Sequence, residues 1–227
     1  MVPAVDVLVI IPARDEADSV AQVVARTRRA MPGARLVVVD NGSSDATAER
    51  AAAAGAAIVS CARPGYGYAV RAGIDGSRPA DIYAFLDADG SMAPEDLTTL
   101  VSPIIAGDAD IVVGRRAVSR RLMPWHQRVG NRVISIMLRR HGVRVAELGP
   151  FRAVRGSTLA SMRLPGSRYG WPAEMLARGA RNGARILEVR VAYAARTTGR
   201  SKVGGSVRGS VLATWDISRA LLGRRVG

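Results

Sequence analysis

Apolar and polar positions follow two different periods along the first half of the chain. Val5–Ile11 is a short run, apolar at every position but Asp6, the pattern of a strand covered on both faces. Ser19–Ala30 comes next, with Val20, Val23, Val24 and Thr27 at helical spacing. Leu36–Val39, Ala57–Ser60, Ile82–Leu86 and Ile111–Gly114 repeat the strand pattern, and Asp45–Ala54, Tyr68–Ile74 and Pro94–Ala106 the helical one. Pro94, Glu95 and Asp96 suit a helix start, where proline lacks no needed donor and acidic side chains meet the positive end of the dipole. Strands alternating with helices at this spacing predict an α/β fold: right-handed βαβ units in a mostly parallel central sheet flanked by helices.

Ligands of such sheets lie beyond the carboxyl ends of the strands. Three of those ends are Pro12-Ala13-Arg14-Asp15-Glu16, Asp40-Asn41-Gly42-Ser43-Ser44-Asp45 and Asp87-Ala88-Asp89-Gly90. All three are polar and acidic.

The second half differs. Arg128–Arg140 reads as a basic amphipathic helix, with Val129, Val133, Ile136 and Met137 on one side. A loop from Ala146 runs into a short strand ending at Val154. Trp171–Asn182 predicts a helix, Arg185–Val189 a strand, Arg196–Ser206 a loop and Val207–Leu222 a last amphipathic helix.

Composition sharpens this division. The chain has 227 residues, enough for one well-buried core, and a net charge of +14. Residues 1–113 carry 9 basic and 15 acidic groups, net −6, and residues 114–227 carry 24 and 4, net +20. The expected organisation is one domain in two halves, an acidic 1–114 and a basic 115–227. Lys202 is the only lysine. The arginine bias matches a GC-rich genome and carries no functional weight by itself. The longest apolar stretch, Val7–Ala13, is far short of the ~20 residues of a membrane span. No cationic lead precedes Asp6, so no secretory signal is expected and a cytoplasmic location is the default. Cys61 is the only cysteine, and His126 and His141 the only histidines, which excludes an internal disulfide and disfavours a multi-histidine zinc site.

Asp87 and Asp89, at i and i+2 in an extended loop, can meet one hard cation. Mg²⁺ and Mn²⁺ take oxygen ligands and keep phosphate oxygens in their shell. The plainer reading of Asp-x-Asp is a solvated turn; its alignment with two other acidic strand ends favours the metal. Asp40 can accept a base N–H or a ribose hydroxyl, and Gly42 permits close backbone approach. Asp45 or Ser44 can cap the next helix. The run from Gly65 to Gly73 matches neither the phosphate loop of nucleoside triphosphatases nor the dinucleotide fingerprint. Its plainer role is a tight turn with small residues packing a helix on the sheet, with Arg71 the candidate near a base or phosphate.

Together the Ile-Pro-Ala-Arg-Asp-Glu opening, Asp-Asn-Gly-Ser-Ser-Asp-Ala-Thr, Leu-Asp-Ala-Asp-Gly and the later segments resemble glycosyltransferase family 2, which has the GT-A nucleotide-sugar fold. The likeness is greatest to polyprenyl- and dolichyl-phosphate sugar synthases and spans about residues 5–203. It implies that Pro12, Ala13, Glu16, Asp40 and Arg71 line the nucleotide pocket, and that Asp87 and Asp89 bind metal and diphosphate. Glu147, in Glu147-Leu148-Gly149-Pro150-Phe151-Arg152-Ala153, stands where relatives tend to carry aspartate. Glu174 opens a predicted helix and can face the acceptor, or merely serve the helix dipole. Arg196, Ser201 and Lys202 fall in a segment similar to the family's basic loop near the phosphates. The Gln-x-x-Arg-Trp motif of processive polysaccharide synthases is absent.

The expected activity is metal-dependent transfer of one sugar, with inversion, from a UDP- or GDP-linked donor, the cofactor being Mg²⁺ or Mn²⁺. The +20 half favours a lipid-phosphate acceptor, an anion that needs no strong base; a hydroxyl acceptor would use Glu147 or Glu174 as base. Arg128–Arg140 is expected to dock on an anionic membrane surface, making the protein peripheral, and Val207–Leu222 to serve core or homodimer packing. Competing readings are transfer to a soluble hydroxyl, a sugar-nucleotide pyrophosphorylase, a non-catalytic sugar-nucleotide binder and a nucleic-acid-binding module. Only 4% aromatic residues and an acidic first half argue against nucleic acid.

Overall fold

The computed structural model describes residues 5–116, 134–146, 148–167, 169–194, 215, 217 and 218. Seven strands form one sheet: β1 (Val7–Ala13), β2 (Arg35–Asp40), β3 (Ala57–Ser60), β4 (Ile82–Phe85), β5 (Ile111–Arg116), β6 (Arg152–Arg155) and β7 (Ile186–Val191). Their order is β3-β2-β1-β4-β6-β5-β7. The helices are α1 (Val20–Ala30), α2 (Thr47–Ala53), α3 (Tyr66–Asp75), α4 (Leu97–Ile105), α5 (described over 134–140), α6 (Gly156–Met162) and α7 (Trp171–Arg181). Pro94–Asp96 forms a 3-10 turn ahead of α4, because the proline start tightens the first turn. Helix α6 has no counterpart among the sequence expectations: at 7 residues, with Gly156 and Ser157 opening it, it carries too little periodic pattern to read.

The two faces of β1 account for the layering. Successive side chains on a strand point to opposite faces. Val7, Val9 and Ile11 pack with Val20, Val23 and Val24 of α1 and Leu97, Leu100, Val101 and Ile104 of α4. Leu8 and Ile10 pack with Ala69 and Val70 of α3 and Trp171, Met175 and Leu176 of α7. Each fully buried aliphatic side chain contributes about 1.5–3 kcal/mol. Gly73 lets α3 press onto the sheet, since a Cβ there would sit 2.8 Å from Ile10 and Val39 side-chain atoms. The glycines of this segment thus pack a helix, as their plainer reading expected. Of the predicted helix 207–222 the described residues place Ile217 in the second core layer, with Ser218 Oγ 3.4 Å from Met137 Sδ.

The sheet is parallel from β3 to β4 and between β5 and β7. Strand β6 runs antiparallel to both of its neighbours, β4 and β5. Asp110 fastens this mixed half. It accepts from Arg185 N, Nε and Nη2 at 2.9, 3.1 and 3.0 Å and from Arg155 Nε at 3.4 Å, joining the start of β5 to the end of β6 and the approach to β7. The same guanidiniums reach main-chain oxygens: Arg155 donates to Ile104 O at 2.6 Å and Arg185 to Gly107 O at 2.5 Å. Arg35 likewise pairs with Asp6 while donating to Arg78 O and Pro79 O.

The hydrogen bonds from Arg185 hold the Asp110 carboxyl down at about 2, against an ordinary 3.8, although burial opposes ionisation; Arg155 adds to the lowering. A depressed carboxyl stabilises the fold above its unfolded value and loses that contribution as pH falls through its folded value. Urea unfolding should therefore find Asp110→Asn less stable than the parent at pH 6 by about 1–2 kcal/mol. The gap should close between about pH 4 and pH 2; a gap constant over that range would exclude this titration as its source.

Candidate active site

Parallel register sets the geometry. Ala13 lies beside Asp40 and Asp40 beside Ser60, while Ile10 lies beside Phe85. The loops after β1, β2, β3 and β4 therefore leave the sheet along one edge.

Those loops are stitched to one another by the polar residues that made them conspicuous in the sequence. Asp15, at φ 47°, takes the left-handed conformation that aspartate tolerates when its side chain bonds locally. Its carboxylate accepts from Ser44 N at 2.8 Å and Ser44 Oγ at 3.0 Å, and its N–H donates to Ser43 Oγ at 3.0 Å. Asp45 accepts from Ala17 N at 3.1 Å and from Thr47 N and Oγ1. Burial opposes the ionisation of Asp45, but the bonds from Thr47 and Ala17 outweigh it and hold the carboxyl below its ordinary value. Asp40, half-buried, accepts from Ser43 N at 3.1 Å. Glu16 opens α1: its carbonyl accepts from Ser19 N and Val20 N, and its N–H donates to Thr47 Oγ1 at 2.8 Å.

Asn41 is the tie that sequence reasoning missed. It is buried, donates to Cys61 O at 3.0 Å and Arg63 O at 2.7 Å, and accepts from Gly65 N at 2.8 Å. It thereby fixes the loop between β3 and α3 against the end of β2. The signal was an asparagine directly after a buried valine strand.

Asp87 and Asp89 follow β4. Asp89 is buried and accepts from Ser91 N at 2.9 Å; Asp87 is half-buried. The residues after β7 return to this loop: Met92 bridges Tyr193, and Ala194 N donates to Ser91 O at 2.9 Å. No group of three or more His, Cys, Asp or Glu side chains arranged to hold a metal occurs among the described residues. The protein's hard-oxygen donors at this loop are two carboxylates, the donor set of a cation that completes its shell with water and phosphate oxygens.

Two further groups meet behind Asp87. Arg152 is fully buried, and donates to Pro172 O at 2.9 Å and to Gly149 O. Burial pulls its guanidinium down to about 10, while Tyr66 and Asp87 act to raise it, so it stays charged at neutral pH. Tyr66 is half-buried as a residue, but its hydroxyl oxygen is sealed from solvent. Burial and then the Asp87 charge push that phenol up.

Two candidates are held by other partners. Arg71 is exposed, donates Nε to Asp75 at 2.6 Å and Nη1 to Leu164 O at 3.1 Å, and borders a cavity of 480 Å³ with Tyr83, Leu159, Leu164 and Trp171. The structure thus joins Arg71 to the loop after α6, not to the strand-end group. Glu174 is buried and pairs with Arg178 at 2.7 Å, while Arg178 also donates to Met162 O at 3.0 Å. A carboxylate held this way braces α7 against α6. Glu147, Arg196, Ser201 and Lys202 lie outside the described residues, as do positions 128–133 of the predicted helix 128–140, whose remainder is α5.

The family model described as glycosyl transferase family 2 matches residues 8–154, from β1 through the acidic strand ends to β6. The chain belongs to glycosyl transferase family 2. Relatives span nearly its whole length. An uncharacterized glycosyltransferase of Mycobacterium tuberculosis is 43% identical over 218 residues, covering 95% of this chain and 97% of that protein. The undecaprenyl-phosphate mannosyltransferase of Micrococcus luteus is 32% identical over 248 residues, covering 96% and 99%. In three dimensions the fold matches glucosyl-3-phosphoglycerate synthase of Mycobacterium tuberculosis, a structure with Mn²⁺, UDP and glucosyl-3-phosphoglycerate. The TM-score is 0.78 at 23% identity, over 97% of this chain and 80% of that one. The fold is GT-A, and the protein is a glycosyltransferase.

Removing the Asn41 side chain strands two carbonyls and one N–H in a buried site, at about 1–3 kcal/mol. Asn41→Ala should accordingly melt several degrees below the parent in a thermal-unfolding scan. Glu174→Gln breaks a buried pair and should cost about 3 kcal/mol in urea unfolding. Its residual turnover, scaled to folded protein, should stay within a few-fold of the parent; a loss of about 100-fold would restore Glu174 as a base.

Proposed function

We propose that the enzyme transfers one hexose from a nucleotide-diphosphate sugar to the phosphate of a polyprenyl phosphate, inverting the anomeric carbon. The observation that carries this reading is the single edge on which Asp40, Asp87 and Asp89 emerge from β2 and β4, the parallel strands on either side of β1. Asp40 and the Asn41-anchored loop form the nucleoside end, where Pro12, Ala13 and Gly42 allow close backbone approach. Asp87 and Asp89 form the diphosphate end.

A divalent cation held by Asp87 and Asp89 supplies positive charge that offsets the charge gathering on the leaving diphosphate. The Mn²⁺ and UDP in the structural neighbour accord with this. An oxygen of the lipid phosphate forms a bond to the anomeric carbon as the bond from that carbon to the β-phosphate oxygen breaks, and the nucleoside diphosphate departs with the electron pair. The attacking oxygen is already an anion, so no proton need be removed. A braced Glu174 and an exposed, Asp75-paired Arg71 fit that economy.

The lipid acceptor is supported by the name of the Micrococcus luteus relative and by the net +20 of residues 114–227. Arg196, Ser201 and Lys202 are assigned to the acceptor phosphate, and the basic helix 128–140 to an anionic membrane surface on the cytoplasmic face. No helix among the described residues is long and apolar enough to cross a membrane.

A panel of radiolabelled UDP- and GDP-sugars with undecaprenyl phosphate and Mg²⁺ or Mn²⁺ tests the reading. Organic-extractable, lipid-linked label is expected. Label passing only to soluble hydroxyl acceptors would overturn it. Asp87→Asn and Asp89→Asn should each lower turnover by about 100-fold or more, the scale of losing a charge-stabilising group.

A further inference from the structure

Arg152 is a charged residue at the start of the short strand β6, between the apolar Phe151 and Ala153. In the antiparallel register it lies opposite Phe85, and opposed residues project to the same face. That face is the one Trp171 covers, since the Phe85 and Trp171 rings meet edge-on at 5.1 Å. Period two carries the same face from Phe85 to Asp87. The Arg152 guanidinium is fully buried between two segments of the acceptor half: the Gly149-Pro150 turn, through Gly149 O, and the start of α7, through Pro172 O at 2.9 Å. Carbonyl oxygens satisfy its N–H groups without neutralising its charge. A buried cation needs a counter-charge; among the described residues the acidic group nearest along this face is Asp87, two residues past Phe85, and its charge acts on both Arg152 and the sealed Tyr66 hydroxyl.

We infer that Arg152 is a positioning residue: it holds the Asp87 carboxylate at the diphosphate end of the donor site and fixes that carboxylate relative to helix α7 of the acceptor half. This rests on the reading of Asp87 as a metal and diphosphate ligand. Arg152 touches neither substrate nor metal; it sets where Asp87 stands. Groups that orient a metal ligand typically govern metal affinity by 10- to 100-fold. Lysine keeps the charge but has no fork with which to span the two carbonyls.

The test is a double-mutant cycle in the full-length protein with Asp87→Asn, Arg152→Lys and the double variant. Two quantities are read: urea stability without metal or nucleotide, and Mn²⁺ binding in the presence of UDP, followed by the electron paramagnetic resonance of free Mn²⁺. Arg152→Lys should weaken Mn²⁺–UDP binding about tenfold in the parent and by less than twofold in the Asp87→Asn background. Donor KM and kcat should separate as well: kcat at saturating Mn²⁺ should fall while donor KM moves less than threefold. Equal weakening in both backgrounds, or unchanged Mn²⁺ binding in folded Arg152→Lys, would overturn the inference. Should Arg152→Lys fail to fold, Asp87→Asn decides. Stranding the buried Arg152 charge should lower its metal-free stability, whereas relief among clustered carboxylates would raise it, and a variant as stable as the parent or more so would sink the proposal. If Asp87→Asn binds Mn²⁺ and UDP unchanged, the metal reading of Asp87 fails, while coupling to Arg152 in the metal-free protein would still stand.

Discussion

A parallel strand cannot return to its neighbour through a tight turn; it needs a crossover, here a helix, that brings the chain back to the opposite edge. Everything at the active edge depends on that constraint. Each crossover in the first half starts from the same side of the sheet, so each loop carries its polar residues to one place. Buried strands leave no room for those residues elsewhere. Loops crowded onto one edge also bring N–H groups that need acceptors, and Asp15, Asp40, Asp45 and Asp89 accept them. The carboxylates that give the edge its charge therefore also hold it in shape.

The exception to parallel pairing is where the two halves join. Strand β6 enters between β4 and β5 in the opposite sense, and by doing so places a residue of the basic half directly beside the strand that leads to Asp87 and Asp89. A parallel β6 would have carried its amino end, and Arg152 with it, to the opposite edge of the sheet, remote from the chemistry. The tail after β7 reaches the same loop from the other side, through Tyr193 and Ala194. The metal-loop candidate is thus bordered on both flanks by segments of the acceptor half.

Much of this was legible in the sequence because the first half obeys local rules. Five apolar runs and their helices are found within a few residues of where periodicity put them, and Ala57–Ser60 is found at the same bounds. The acidic strand ends were visible because polarity changes abruptly after each run. What was not legible depends on partners distant in sequence. Helix α6 is too short for its period to declare itself. The antiparallel sense of β6 is a matter of topology that four residues do not encode. Arg71 read as a ligand because it follows glycines at a strand end, yet Asp75, one turn on, and the Leu164 carbonyl, 93 residues away, draw it elsewhere. Arg152 passed as part of a motif because nothing local shows that its surroundings are dry.

The near-exclusive use of arginine takes on a physical meaning in the folded chain. Arg35, Arg155, Arg178 and Arg185 each hold a carboxylate with one nitrogen and a main-chain oxygen with another. An ammonium is a single point of charge and cannot bridge two such acceptors with the same geometry. Added electrolyte screens the attraction between charges but leaves a hydrogen bond to a neutral carbonyl largely in place. A molecule with net charge +14 would be expected to respond sharply to ionic strength. Because so many of its cations are also anchored to the backbone, its fold should tolerate changes of ionic strength far better than its affinity for anionic partners does.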